Sequence, residues 1–197
     1  MAGFLQSDLL PEVLQRLEEA SVEARGKLSG LGSEELNWKP SAKAWSVAEC
    51  LEHLVATHDA YWPQIQRVIG STAPRAPDGN RIRPTLIGKM LFRAVDPDST
   101  TRTKAPGVFR PERSHVEGSP LEAFLRCQAN LRQLVEGTSD VDWHRVRLST
   151  PVNRAIRLRL GDAYRVLAAH SQRHVNQAVR VTRMDGFPRQ AGDEATA

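Results

Sequence analysis

Apolar residues recur every three or four positions in four separate stretches of this chain, the spacing of amphipathic helices and not of strands. The first stripe, over about residues 8–28, is Leu9, Val13, Leu14, Leu17, Ala20, Val22 and Leu28. Asp8 is placed to cap it, Pro11 falls in the first turn where a missing N–H costs little, and Gly30 and Gly32 close it. The second, from 46 to about 69, carries Val47, Leu51, Leu54, Val55, Tyr61, Ile65 and Val68. It opens on Ser46-Val-Ala-Glu49, a capping box, with Trp45 and Cys50 spaced as a hydrophobic staple. Pro63 lies inside it and should kink it. Ser119-Pro-Leu-Glu122 is a second capping box and starts the third helix, which runs to about Val135 and ends at Gly137. The fourth begins near Gly161-Asp162 and ends by Gly186-Phe187-Pro188.

The segments between these helices differ from one another. Residues 33–45 are too apolar for a free linker, and Leu36, Trp38 and Trp45 are expected to plug one end of the fold. Residues 71–118 are rich in Pro, Gly, Arg and Thr, interrupted by one short helical candidate over 85–95. A connection this long in a compact domain is functional or a crossover. A second irregular stretch, 138–159, holds Trp143 and a Thr150-Pro151 turn. With no convincing alternating strand, the pattern predicts an all-α four-helix bundle with a long crossover between helices 2 and 3. It forms a single domain over 1–189, followed by a disordered tail over 190–197.

Composition changes this picture little. The 197 residues are 40% apolar and 25% charged, ordinary for a globular protein. The net charge is +4, and the basic residues are spread widely, with some clustering between Arg75 and Arg113 and between Arg145 and Arg165. With aromatics at 6%, this lacks the dense basic stripe with interleaved aromatics of a nucleic-acid binder, so anionic small ligands are the expected partners and nucleic acid is not. Cys50 and Cys127 sit at apolar-periodic positions and read as buried thiols. No apolar run reaches membrane-spanning length and the first residues lack a signal-peptide pattern, so the expected location is cytoplasmic.

The candidate chemistry is in the histidines. His170 and His174 are four apart on the fourth helix, where Cβ atoms stand roughly 5–6 Å from each other. They fall on the buried stripe Ala163, Leu167, His170, His174, Ala178, Val181, away from Arg165, Gln172, Arg173 and Arg180. His53 can point inward from the second helix, and His58 is an alternative to it. Buried imidazoles need their nitrogens satisfied, and one metal ion satisfies several at once. Imidazole donors suit Zn, Ni, Fe or Co, and three protein ligands leave positions open. Cys50, one turn before His53, is a possible soft fourth ligand but reads better as a buried thiol. Glu49 is explained by its capping box, and His115 and His144 by a surface position. The sequence His170-Ser-Gln-Arg-His174 lacks the glutamate of a zinc-protease helix.

Leu-Asn-Trp-Lys-Pro, then Ala-Trp45-Ser-Val-Ala-Glu-Cys-Leu-Glu-His53-Leu, then Leu160-Gly-Asp with His170-x-x-x-His174-x-x-Gln177, resembles the DinB-like superfamily, also called YfiT-like metal-dependent hydrolases. The resemblance spans most of the chain. It implies an up-down-down-up bundle and one divalent metal held by His53, His170 and His174, with Zn or Ni first and Fe or Co next. It also implies thiol-dependent transferases and isomerases among the relatives, and a homodimer as a common state. Arg159 departs from the pattern, standing where a helix-capping Ser or Thr is frequent, as does the long basic 71–118 connection.

Two functions follow as expectations. In the first, the metal activates water or a low-molecular-weight thiol for transfer, isomerisation or hydrolysis of a small-molecule substrate. Arg81, Arg83 or Arg93 would then receive substrate carboxylates, and no residue is assigned as general base. In the second, the protein is a non-catalytic, metal-containing helical scaffold or stress-response interaction protein.

Overall fold

The computed structural model describes residues 3–70, 73–99, 105–111 and 115–188. The 190–197 tail, Arg102 and Arg113 lie outside these residues. The chain is mainly helical with two small antiparallel sheets. In chain order the elements are β1 (Phe4–Leu5), α1 (Gln6–Leu28), α2 (Ser33–Asn37), α3 (Val47–Val68), β2 (Arg81–Ile82) and α4 (Leu86–Val95). A 3-10 turn (Gly107–Phe109), α5 (Pro120–Gly137), β3 (Arg147–Ser149), β4 (Arg157–Arg159) and α6 (Leu160–Val181) follow.

The long helices form where the apolar periodicity places them, and α1, α3, α5 and α6 pack on one another. The α1 stripe Leu9, Val13, Leu17, Ala20, Ala24 and Leu28 is buried throughout. Ser46 caps α3 as expected: its Oγ accepts from the Glu49 amide at 3.1 Å, and Glu49 Oε2 accepts from the Ser46 amide at 2.8 Å. The helix continues through Pro63.

Other termini correct the sequence reading. The first helix begins at Gln6, with Leu5 and not Asp8 as the N-cap residue. Gln6 is buried and fully used, its Nε2 donating to the Ser139 and Val141 carbonyls and its Oε1 accepting from Asn80 Nδ2 and the Trp143 amide. Ser119 makes no side-chain cap on α5, because its backbone (φ −112°, ψ 78°) departs from the extended capping geometry that Ser46 adopts.

The strands are the larger departure. β1 pairs with β2, and β3 with β4, in ladders of two and three residues, too short to show an alternating pattern. The 138–159 stretch is a packed floor: Trp143 is fully buried, its Nε1 donating to the Thr138 carbonyl at 2.8 Å, and Thr138 Oγ1 meets Tyr164 OH at 3.0 Å. Within the long connection, α4 docks on α6 through Asp162, whose Oδ2 accepts from the Thr85 amide and hydroxyl. Only glycine fits at 88, since a Cβ there would lie 2.4 Å from the Asp162 carboxyl carbon.

The core divides in two. One apolar cluster gathers Leu9, Leu17, Ile65, Leu131, Trp143 and Tyr164, and the other gathers Ala24, Leu51, Leu54, Phe124, Val175 and Ala178. Leu36, Trp38 and Trp45 pack against the second. On α3, α5 and α6 the residues between the clusters are polar: Thr57, His58, Gln128, His170 and Ser171, all buried.

Candidate metal centre

His53 comes from α3, and His170 and His174 from consecutive turns of α6, which packs against α3. Their ring centroids are 4.5–4.8 Å apart, with planes between 72° and 77° to one another. One nitrogen from each ring lies within 4.8 Å of the other two, a group that can hold a metal ion. No carboxylate or thiol among the described residues belongs to it.

Hydrogen-bond polarity fixes one ring outright. His53 Nδ1 lies 2.6 Å from the Phe109 carbonyl, which can only accept, so Nδ1 carries the hydrogen and Nε2 presents its lone pair. That lone pair meets His170 Nε2 at 3.0 Å. A single proton can bridge those two atoms but does nothing for the third ring. His170 Nδ1 and His174 Nδ1 are both buried without a hydrogen-bond partner among the described residues. Leaving buried polar atoms unmatched costs about 1–3 kcal/mol each. A proton serves only one pair of the converging nitrogens, whereas a cation shared among one nitrogen of each ring serves all three.

The three rings are neutral at physiological pH. Burial holds His53 below the usual histidine value, with the Phe109 carbonyl acting in the opposite sense. His170 is pushed well below it by burial, then by His174, His53, His58 and Arg173. His174 is lowered to about 3 by burial and by His53 and Arg173, with a Gln177 hydrogen bond opposing. Neutral imidazoles are the form that binds metals. The indole of Trp45 walls the group, 4.8 Å from the His53 ring and 5.6 Å from that of His174. Arg173 ties the exit of α4 to α6 by donating to the Asp96 and Ser99 carbonyls at 2.7 and 2.9 Å.

The remaining sequence candidates lie elsewhere. His58 is buried, but it turns away from the cluster to Cys127 Sγ at 2.9 Å and Ser171 Oγ at 3.3 Å. Cys50 is buried, with burial pushing its thiol far up, and is not in the group. Cys127 is only half-buried and lines a cleft of about 310 Å³ with His58, Asp59, Trp62 and Leu131. Glu49 closes its capping box and pairs with Lys39 Nζ at 2.8 Å. His115 is exposed. His144 corrects the expectation of a simple surface residue, since it accepts from the Arg83 amide and contacts the Arg159 guanidinium. Arg83 thus sits at the start of α6, about 15 Å along that helix from His170, and Arg81 lies in β2 just before it. Arg93 is exposed on α4.

Sequence reading missed the Phe109 carbonyl, because a backbone atom leaves no residue-type signal. The sequence places Trp45 as a staple and end plug, and its position against the histidine rings depends on the packing of α3 on α6.

Among known proteins, the family described as the DinB superfamily matches residues 16–178. The uncharacterized protein YuaE of Bacillus subtilis is 27% identical over 162 residues, covering 81% of this chain and 90% of that protein. No solved structure matches. Among the described residues no helix is long and apolar enough to cross a membrane.

Proposed function

The chain belongs to the DinB superfamily, and from that premise we propose that it is an enzyme holding one divalent transition metal on His53, His170 and His174. In this reading α1, α3, α5 and α6 form an up-down-down-up four-helix bundle around the site. The observation that carries the proposal is the convergence of three neutral imidazoles, two buried and His174 half-buried, with one nitrogen of each within 4.8 Å of the others. Three nitrogen donors suit Zn or Ni first, then Fe or Co. When bound, such an ion acts as a Lewis acid, making a water or a low-molecular-weight thiol beside it nucleophilic near neutral pH.

The protein's own residues contribute positioning and electrostatics. Phe109 fixes the tautomer and orientation of His53, the kind of outer support that metal-binding histidines use. Trp45 excludes water from one side of the group. The positive fields of Arg173 and Arg180 reach His174, and no carboxylate opposes them within the histidine group, so an anionic occupant is favoured. A thiol whose own carboxylates face these arginines fits that field.

Elemental analysis of purified protein tests the metal assignment: about one transition metal per chain is expected, lost in His174→Ala. Stoichiometric metal surviving replacement of all three histidines would sink it. Loaded protein is then expected to act on a thiol–electrophile pair or on a hydrolysable substrate, whereas metal bound without either activity would leave a scaffold.

A further inference from the structure

The β3–β4 hairpin leads into α6 and places like charges against each other. Arg147 and Arg159 are directly opposed across the ladder, and Arg157 opposes Ser149. Between them Leu148 and Leu158 turn inward and are buried, so Arg147, Arg157 and Arg159 share the outer face. Like charges directly opposite in an antiparallel pair destabilise it. Residues 143–161 contain five arginines and no carboxylate to relieve this.

The flanking acids Asp142 and Asp162 act on Arg159 through space but place their hydrogen bonds elsewhere. Asp142 Oδ1 accepts from Asn80 Nδ2 and from the His144 and Arg145 amides. Asp162 Oδ2 accepts from the Thr85 amide and hydroxyl. The ion pairs among the described residues involve Arg16, Lys39, Arg75 and Arg132, and none of the hairpin arginines. Arg83 joins the group through its backbone: its carbonyl accepts from Arg159 Nη1 at 2.6 Å, and its amide donates to His144 Nδ1 at 3.1 Å. Arg159 Nε is buried without a partner. Burial first, then Arg147 and Arg83, lower the Arg159 pKa, with Asp162 and Asp142 acting in the opposite sense.

We infer that the outer face of this hairpin, with Arg83 beside it, binds a compact phosphate-type dianion, either inorganic phosphate or the phosphate group of a small ester. Guanidinium groups make paired, charge-assisted bonds to such oxyanions. The size of the face selects a small ligand. Three-residue strands about 4.8 Å apart, with side chains repeating about every 6.6 Å, give a face on the scale of one phosphate group. The site is about 15 Å along α6 from His170, so it stands independently of the metal reading.

Thermal unfolding in phosphate against chloride at matched ionic strength tests this. Phosphate at tenfold excess over its Kd should raise the wild-type Tm by roughly 3–6 °C beyond chloride. Arg147→Gln, at an exposed position, should melt higher than wild type in low salt and lose the phosphate-specific gain. That pair of opposite changes is not expected from a merely structural arginine. His174→Ala should keep the phosphate gain, which separates this site from any anion taken up beside the histidines. Glycerol phosphate run in parallel tells the sources apart: equal gains assign the phosphate group alone, and a larger gain assigns an ester. Equal effects of phosphate and chloride, a gain retained in Arg147→Gln, or a short oligonucleotide binding more tightly per phosphate than inorganic phosphate would overturn the proposal.

Discussion

Two histidine clusters lie on the same pair of helices and differ in whether their hydrogen bonds close. His58 has both ring nitrogens matched, Nδ1 to Cys127 and Nε2 to Ser171. Ser171 donates its own hydrogen to the Leu167 carbonyl, so its oxygen must accept from His58 Nε2–H, and His58 Nδ1 in turn accepts from the Cys127 thiol. Every proton in that chain has one place to be. Beside it, His53, His170 and His174 turn nitrogens toward a common point and leave two others unmatched. His53, His170 and His58 are all buried, so burial by itself does not reveal which group receives a ligand. The completeness of the hydrogen-bond accounting does.

The strongest way to break this comparison is metal content. His170→Ala should lower metal affinity by more than the roughly 10–100-fold typical of losing an outer-sphere partner. His58→Ala should leave stoichiometry unchanged while lowering stability by about 2–3 kcal/mol through lost packing and bonding. Elemental analysis and urea unfolding of the two variants read this directly. Equal metal loss in both would erase the distinction.

Acid sharpens it next. Burial lowers His58 to about 4 in the folded protein, with the field of His53 adding to the effect, against about 6.5 unfolded. Between those values the unfolded chain binds the extra proton, so stability is full above about pH 6.5 and falls with pH until about 4. The loss from His58 alone is about 3 kcal/mol. Metal-free His58→Phe should therefore show a shallower decline in urea-derived stability from pH 7 to pH 4.5 than metal-free wild type. Parallel declines would show that His58 is not buried in its neutral form.

A smaller effect tests the direction of the closed chain. Ser171→Ala removes the acceptor for His58 Nε2–H and should cost about 1–2 kcal/mol in urea unfolding, with metal content kept. No change in stability would mean that the 3.3 Å contact between Ser171 and His58 contributes nothing to the closed chain.

Much of this was legible in the sequence. The apolar stripes located the four long helices, and the Ser46–Glu49 box fixed the start of α3. The phase of α6 put His170 on its buried side, whereas His174, one turn on, is only half-buried. Helix phase could not separate His53 from His58, because five residues of rotation leave both within reach of a broad buried face, and both are in fact buried. What decided between them was a backbone carbonyl at Phe109 and a thiol on α5, long-range partners that local periodicity does not encode. The two short ladders escaped for a related reason. Arg147–Ser149 and Arg157–Arg159 pair through backbone groups over three residues, fewer than an alternating pattern needs to stand out.

The smallest expected effect is also the one whose sign is most informative. In the metal-free protein His174 is a desolvated ring with an unmatched Nδ1, near His53 and the Arg173 charge. Replacing an unmatched buried polar group by an apolar one of similar size is neutral or stabilising, whereas truncating a matched group is not. His174→Leu should therefore unfold at the same or higher urea concentration than wild type when both are stripped of metal, by up to about 1 kcal/mol. With metal present the order should reverse, since only wild type gains stability from ligand binding. The equivalent change in the closed cluster, His58→Leu, should destabilise the protein in both conditions. A loss of stability in stripped His174→Leu as large as that in His58→Leu would mean that the three-histidine group is as complete as its neighbour, and that no ligand is required to finish it.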